Sequence, residues 1–146
     1  MKITIYTRQS SLKINKKDIS KKSKLLLIKE NIDTDELVIY FVNTEEIIDL
    51  HKKYFDDPTT TDCISFPIDS PGEEKFGPTI LGEIFICVDT AIEYSKKNSI
   101  KVEDEIDLYL IHGILHLIGY DDIEKEDRQI MRKKESESIE YLKSHV

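Results

Sequence analysis

Glu36-Leu37-Val38-Ile39-Tyr40-Phe41-Val42 is nearly continuous in apolar, β-branched and aromatic residues. A strand with one wet face alternates apolar with polar side chains, whereas a strand covered on both faces does not. The segment therefore reads as a central strand with other elements packed above and below it. Upstream, Lys2-Ile3-Thr4-Ile5-Tyr6-Thr7 alternates as a half-buried strand would. Residues 16–30 are helical in composition, with Leu25 to Ile28 as an apolar end. Downstream, Asn43 or Thr44 can cap a helix running to about Tyr54, and Phe55 to Thr61 reads as a polar loop around Pro58.

Beyond that loop, Asp62 to Phe66 is a short strand ended by Pro67. Residues 68–79 hold Pro71, Gly72, Gly77 and Pro78 and read as a mobile surface loop. Ile80 to Val88 is another strand, after which Asp89 or Thr90 can cap a helix to about Asn98. Val102 to Ile118 is a long helix with Ile106, Leu110 and Leu117 on apolar faces, and a last helix runs from about Ile123 to Leu142. The order predicts a single α+β domain over residues 1–146. Its mixed sheet of about four strands is covered by about five helices.

Composition narrows the function classes. The chain has 146 residues, of which 39% are hydrophobic and 34% charged. That balance suits a soluble domain with its own core. No run of apolar residues is long enough to span a membrane and no basic-then-apolar leader is visible, so a cytoplasmic location is expected. Cys63 and Cys87 form no C-x-x-C pair and read as free thiols in a reducing compartment. A formal net charge of −8 disfavours broad, sequence-independent affinity for nucleic acid. It leaves room for a local basic groove built from Lys16-Lys17, Lys21-Lys22-Lys24, Lys52-Lys53 or Lys96-Lys97.

The chemistry concentrates in His112-Gly113-Ile114-Leu115-His116-Leu117-Ile118-Gly119-Tyr120-Asp121-Asp122. Residues at i and i+4 share a helix face, so His112 and His116 can grip one metal ion. Gly119 can take the positive φ that ends a helix and folds the chain back, which would bring Asp122 round as a third ligand. Three protein ligands with one position open describe a catalytic rather than a structural zinc site. Asp121 and Asp122 also precede a helix start, so Asp122 competes between ligand and cap, and Asp121 is the better cap or outer partner of the site. The spacing matches the long zinc-protease motif with one residue changed. Where H-E-x-x-H carries a glutamate base, this chain has Gly113, which disfavours peptide hydrolysis by the usual route.

Residues 112–121 resemble the metal motif of the YbeY family of bacterial rRNA maturation endoribonucleases, H-G-x-L-H-L-x-G-Y-D-H. Two upstream segments add to the resemblance. Thr61-Asp62-Cys63-Ile64-Ser65-Phe66-Pro67 is similar to P-T-D-V-L-S-F-P, and Leu81-Gly82-Glu83-Ile84-Phe85-Ile86 to L-G-D/E-I-x-I. Glu105 falls where family members often carry a glutamate. The resemblance covers about residues 37–122. It implies a zinc-dependent endoribonuclease for single-stranded RNA, acting in 16S rRNA 3′-end maturation and ribosome quality control. Its partners would be rRNA, the small ribosomal subunit and ribosome-associated proteins. His112 and His116 would act catalytically through the ion, with Asp62, Ser65, Phe55 and Glu83 lining the substrate groove.

Two positions depart from the family pattern. Asp122 stands where the family has a third histidine. A carboxylate can still bind zinc, and its charge would lower the Lewis acidity of the ion and favour a harder one such as Mn²⁺ or Fe²⁺. Phe55 stands where many members carry an arginine able to hold a phosphate. An aromatic ring could instead stack on a base or anchor the loop beneath it. Two other functions fit the residues less well: a non-catalytic ribosome-assembly factor with a structural zinc, and a zincin-like peptidase or amidase.

Overall fold

The computed structural model describes residues 1–72 and 76–146. Its elements in chain order are β1 (Lys2–Arg8), α1 (Lys16–Lys29), β2 (Glu36–Val42), α2 (Thr44–Phe55), β3 (Cys63–Pro67), β4 (Ile80–Cys87), α3 (Val88–Asn98), α4 (Val102–Leu117) and α5 (Lys125–His145). One four-stranded sheet runs β1-β2-β4-β3. β1, β2 and β4 are parallel, and β3 returns antiparallel to β4 with Cys63 opposite Ile86 and Pro67 opposite Gly82. Pro67 lacks an amide hydrogen and sits on this edge strand, where no ladder bond is lost.

β2 is central, as its composition requires. Leu37, Ile39 and Phe41 enter the larger core with residues of α1, α4 and α5, while Val42 enters a smaller core with Ile47 of α2, Ile64, Phe85 and Cys87. Helix α4 is the axis of the larger core. Ile106, Tyr109, Leu110, Ile111, Ile114, Leu115 and Leu117 are all buried, so apolar contact surrounds the helix on most sides. Each fully buried side chain of this kind contributes roughly 1.5–3 kcal/mol.

Several boundaries differ from the sequence expectation, each for a local reason. Phe55 belongs to the last turn of α2 rather than to a loop, because the left-handed Asp56 closes the helix one residue later. Asp62 lies outside β3, its carboxylate accepting from the Cys63 amide at 2.7 Å. Val88 opens α3, and neither Asp89 nor Thr90 caps it. The Asp89 carboxylate turns away to accept from the Thr44 amide at 2.9 Å, adding to the Asn43 side-chain cap of α2. That bond, with the Thr44 and Ser11 hydroxyls, holds the Asp89 carboxyl below its ordinary pKa. The 68–79 segment lies partly outside the described residues. At its base Ile68 and Asp69 donate to Leu81 and Ile80, and the Asp69 carboxylate accepts from the Ile80 amide.

Candidate metal centre

The last turn of α4 is built to stop. Gly119 has φ +109°, its amide donates to the His116 carbonyl at 3.1 Å, and the Tyr120 amide donates to the Leu115 carbonyl at 3.0 Å. This pair of bonds is the Schellman closure that a glycine after the helix permits. Asp121 then accepts the Asp122 amide at 2.7 Å and fixes the backbone beyond the turn. Neither aspartate caps α5, whose N-cap is Glu124 without a side-chain bond.

The turn returns Asp122 to the histidines. Nε2 of His112 and Nε2 of His116 are 2.9 Å apart, and Oδ2 of Asp122 lies 3.4 Å and 3.5 Å from them. With bonds of about 2.0–2.2 Å, the edge of a tetrahedral site measures roughly 3.3–3.6 Å. The two nitrogen–oxygen edges already have that length, and a separation of a few tenths of an ångström between the rings completes the triangle. All three side chains are partly open to solvent. Two imidazoles and one carboxylate therefore fit a divalent ion of the zinc class and leave its outer side accessible.

Glu135 of α5 completes the site. Its Oε2 lies 2.7 Å from His112 Nδ1. A carboxylate only accepts, so the proton sits on Nδ1 and Nε2 is left to face the ligand position. Burial works against the charged form of His112. The Glu135 hydrogen bond and the charges of Glu135, Asp62 and Asp122 outweigh it, raising the pKa above the ordinary 6.5. Beside Glu135, Lys134 pairs with Glu30 at 2.8 Å and lies 5.4 Å from the Tyr120 ring centre, tying α1 and α5 to the turn.

The other predicted residues divide by their position on the sheet. The Ser65 hydroxyl donates to the Gly113 carbonyl at 3.1 Å and fastens β3 to α4. Ser65, Phe55 and His116 share a cleft of about 290 Å³ with Cys63 and Ile64. Asp62 lies close enough for its charge to act on His112. Burial, with Asp62, Glu135 and Asp122 nearby, pushes the Cys63 thiol well up, so it stays protonated. Glu83 is not brought to the triad. It alternates with Gly82 and Ile84, which face α4, and it accepts from the Tyr40 hydroxyl at 3.1 Å. Glu105 is buried against the Tyr109 hydroxyl in the core. Of the lysines, Lys16, Lys17, Lys21 and Lys24 line a groove beside Ile3 and Ile5, at the β1 edge of the sheet. β3, next to the triad, forms the other edge.

Gly113 occupies its place for a packing reason. A Cβ there would stand 2.7 Å from Ile84 Cγ2 and 3.3 Å from Ser65 Oγ. The position that carries the base in zinc proteases points here into the sheet. Glu135 was not among the residues the sequence singled out. A usable signal exists, since Met131, Ser138 and Leu142 are the buried stripe of α5 and Glu135 falls on that same stripe. An acid on an apolar stripe needs a partner.

Comparison with known proteins gives the same architecture a family. The Endoribonuclease YbeY family profile matches residues 4–143. The chain belongs to the YbeY family. Endoribonuclease YbeY of Protochlamydia amoebophila is 44% identical over 141 residues, covering 97% of this chain and 93% of that protein. Endoribonuclease YbeY of Chlamydia pneumoniae is 37% identical over 142 residues, covering 95% and 89%. A solution structure of a Thermotoga maritima protein superposes with a TM-score of 0.65 at 25% identity, over 97% of this chain and 89% of that one. The YbeY fold is thus the α+β domain described above. None of its described helices is long and apolar enough to cross a membrane.

Proposed function

We propose that this protein is a metal-dependent endoribonuclease that cuts single-stranded RNA, with 16S rRNA 3′-end maturation and ribosome quality control as its setting. The carrying observation is the His112–His116–Asp122 triangle, sized for one ion and open on its outer side, in a chain whose relatives are named Endoribonuclease YbeY. Zinc is the proposed ion, with Mn²⁺ or Fe²⁺ favoured to the extent that the Asp122 charge hardens the site. When bound, it would supply Lewis-acid polarisation of a phosphoryl oxygen.

The chain's own residues do the rest. Glu135 holds His112 in the tautomer that presents Nε2. Asp121 fixes the Asp122 backbone. Ser65 locks α4 to β3, which forms one wall of the substrate cleft. Position 113 offers no base, and RNA brings its own nucleophile in the 2′-hydroxyl. The acids around the triad leave the phosphate few protein cations, a role that falls to the ion. Free thiols at Cys63 and Cys87 suit a reducing cytoplasm. The small ribosomal subunit and ribosome-associated proteins are the proposed partners.

A purely structural ion has less support, because the turn is already closed by the Gly119 and Tyr120 backbone bonds and braced by Lys134. The deciding experiment is elemental analysis of the purified protein and of Asp122→Ala, with cleavage of single-stranded RNA measured on both. About one zinc per chain, lost together with cleavage in the variant, is expected. A native protein that takes up no ion even when supplied would overturn the reading.

A further inference from the structure

Two large aromatic rings stand in solvent at the end of α2, and one of them, Phe55, lines the cleft that holds His116. Tyr54 and Phe55 are 55% and 54% exposed at the end of α2. They are not isolated. Phe55 stacks loosely on Phe66 with centres 6.2 Å apart and 29° between planes, and Tyr54 meets the same ring edge-on at 5.0 Å. Phe66 is in turn braced edge-on by Phe85, which is 8% exposed, at 5.7 Å. The outer rings therefore rest on a rigid aromatic base. His51 stands 5.7 Å from Phe55 and is held by its Nδ1 contact with the Thr59 carbonyl at 2.8 Å.

Of these rings, Phe55 and His51 line the cleft that also holds His116, while Phe66, on the α2 face of the sheet, backs Phe55 from outside it. At about 290 Å³ the cleft sits at the lower edge of the roughly 300–1,000 Å³ usual for small-molecule sites, the size for one flat ring system rather than a chain of them. Charge selects which part of a nucleotide enters. Asp122 in the triangle and Asp62 and Glu135 beside it repel phosphate unless an ion is present, whereas Phe55 brings an uncharged aromatic face to the cleft. Lys52 and Lys53, in the last turn of the same helix, are exposed.

We infer that the exposed ring of Phe55, backed by Phe66, is a stacking subsite for one unpaired nucleobase, placing the adjoining phosphodiester over the metal triangle. The inference rests on the RNA reading of the site and adds to it a reason for strand selectivity. A base can enter the cleft only when it is free of a partner strand, and a π-face accepts any base without reading its edge.

The test is the affinity of a short fluorescein-labelled single-stranded RNA, measured by anisotropy in the cold with its integrity checked on a gel. Wild type is compared with Phe55→Ala, Phe55→Leu and Phe55→Tyr. Loss of one stacked base weakens binding about five- to 150-fold. That loss is expected in Phe55→Ala and Phe55→Leu, with Phe55→Tyr within about twofold of wild type. Phe55→Leu binding like wild type would reduce the ring to an apolar anchor and overturn the subsite. So would Phe55→Ala binding like wild type, even if the protein still cleaves RNA and the enzyme reading stands. A wild type that neither binds nor cleaves RNA overturns both.

Discussion

The side of α4 that meets the sheet and the side that carries the histidines are held in opposite ways. Against the sheet, Gly113 and Leu117 have no spare room: a Cβ at Gly113 would stand 2.7 Å from Ile84, and one at Gly82 would stand 2.6 Å from Leu117. On the other side His112 and His116 are half-open and fixed by polar contacts to Glu135 and Asp122. One face is specified by volume, the other by hydrogen-bond direction. The difference explains why this motif departs from a zinc protease. The neighbour of the first histidine lies on the face specified by volume, so no base fits there.

Breaking the packed face has the largest expected effect. Gly113→Glu would force a charged side chain against Ile84 and cost at least about 3 kcal/mol of stability, measured by urea unfolding of metal-free protein. A fully stable Gly113→Glu would show that room, not packing, exists at this position. On the open face the pattern inverts. His116→Ala should leave urea stability of the metal-free protein within about 1 kcal/mol of wild type while reducing metal affinity by more than about a hundredfold, the upper end for outer-shell changes. A chelator-competition titration measures the second quantity.

Glu135→Gln sharpens the comparison further. Gln keeps an acceptor for the Nδ1 proton but removes the charge, so metal affinity should fall about 10- to 100-fold with little loss of fold. Unchanged affinity would mean that Glu135 is only a packing residue of α5. The pH dependence of the metal-free protein has a definite sign. The folded pKa of His112 lies above its ordinary value, so its contribution is complete below that ordinary value and is lost as pH rises through the folded one. Thermal melting against pH should show this decline in wild type and a weaker one in Glu135→Gln. Ser65→Ala should have the smallest effect, about 1 kcal/mol for one hydrogen bond, read from the urea midpoint.

Much of the fold was legible because its signals are local. The apolar run of β2, the Asn43 cap, the Gly119 stop and the i, i+4 histidines each depend on residues within one or two turns of each other. The departures arose where a distant residue claimed a local one. Asp89 reads as the cap of α3, but Thr44 draws it to α2. The family's strand pattern places Glu83 in the substrate groove, yet the pleat turns it to Tyr40 on the face of the sheet away from α4.

By itself the sequence determined the α+β order of elements, the pairing of His112 with His116 on one helix face, and a glycine turn able to bring a carboxylate back. These follow from backbone periodicity and from the conformations glycine alone adopts cheaply. Only the tertiary structure decided that Glu135, from a helix beyond the motif, sets the His112 tautomer. It also decided that Gly113 is there for Ile84, and that Phe55 reaches the same cleft as His116. Each of these is a contact between elements far apart in the chain, fixed by how helices and sheet pack rather than by any spacing within them.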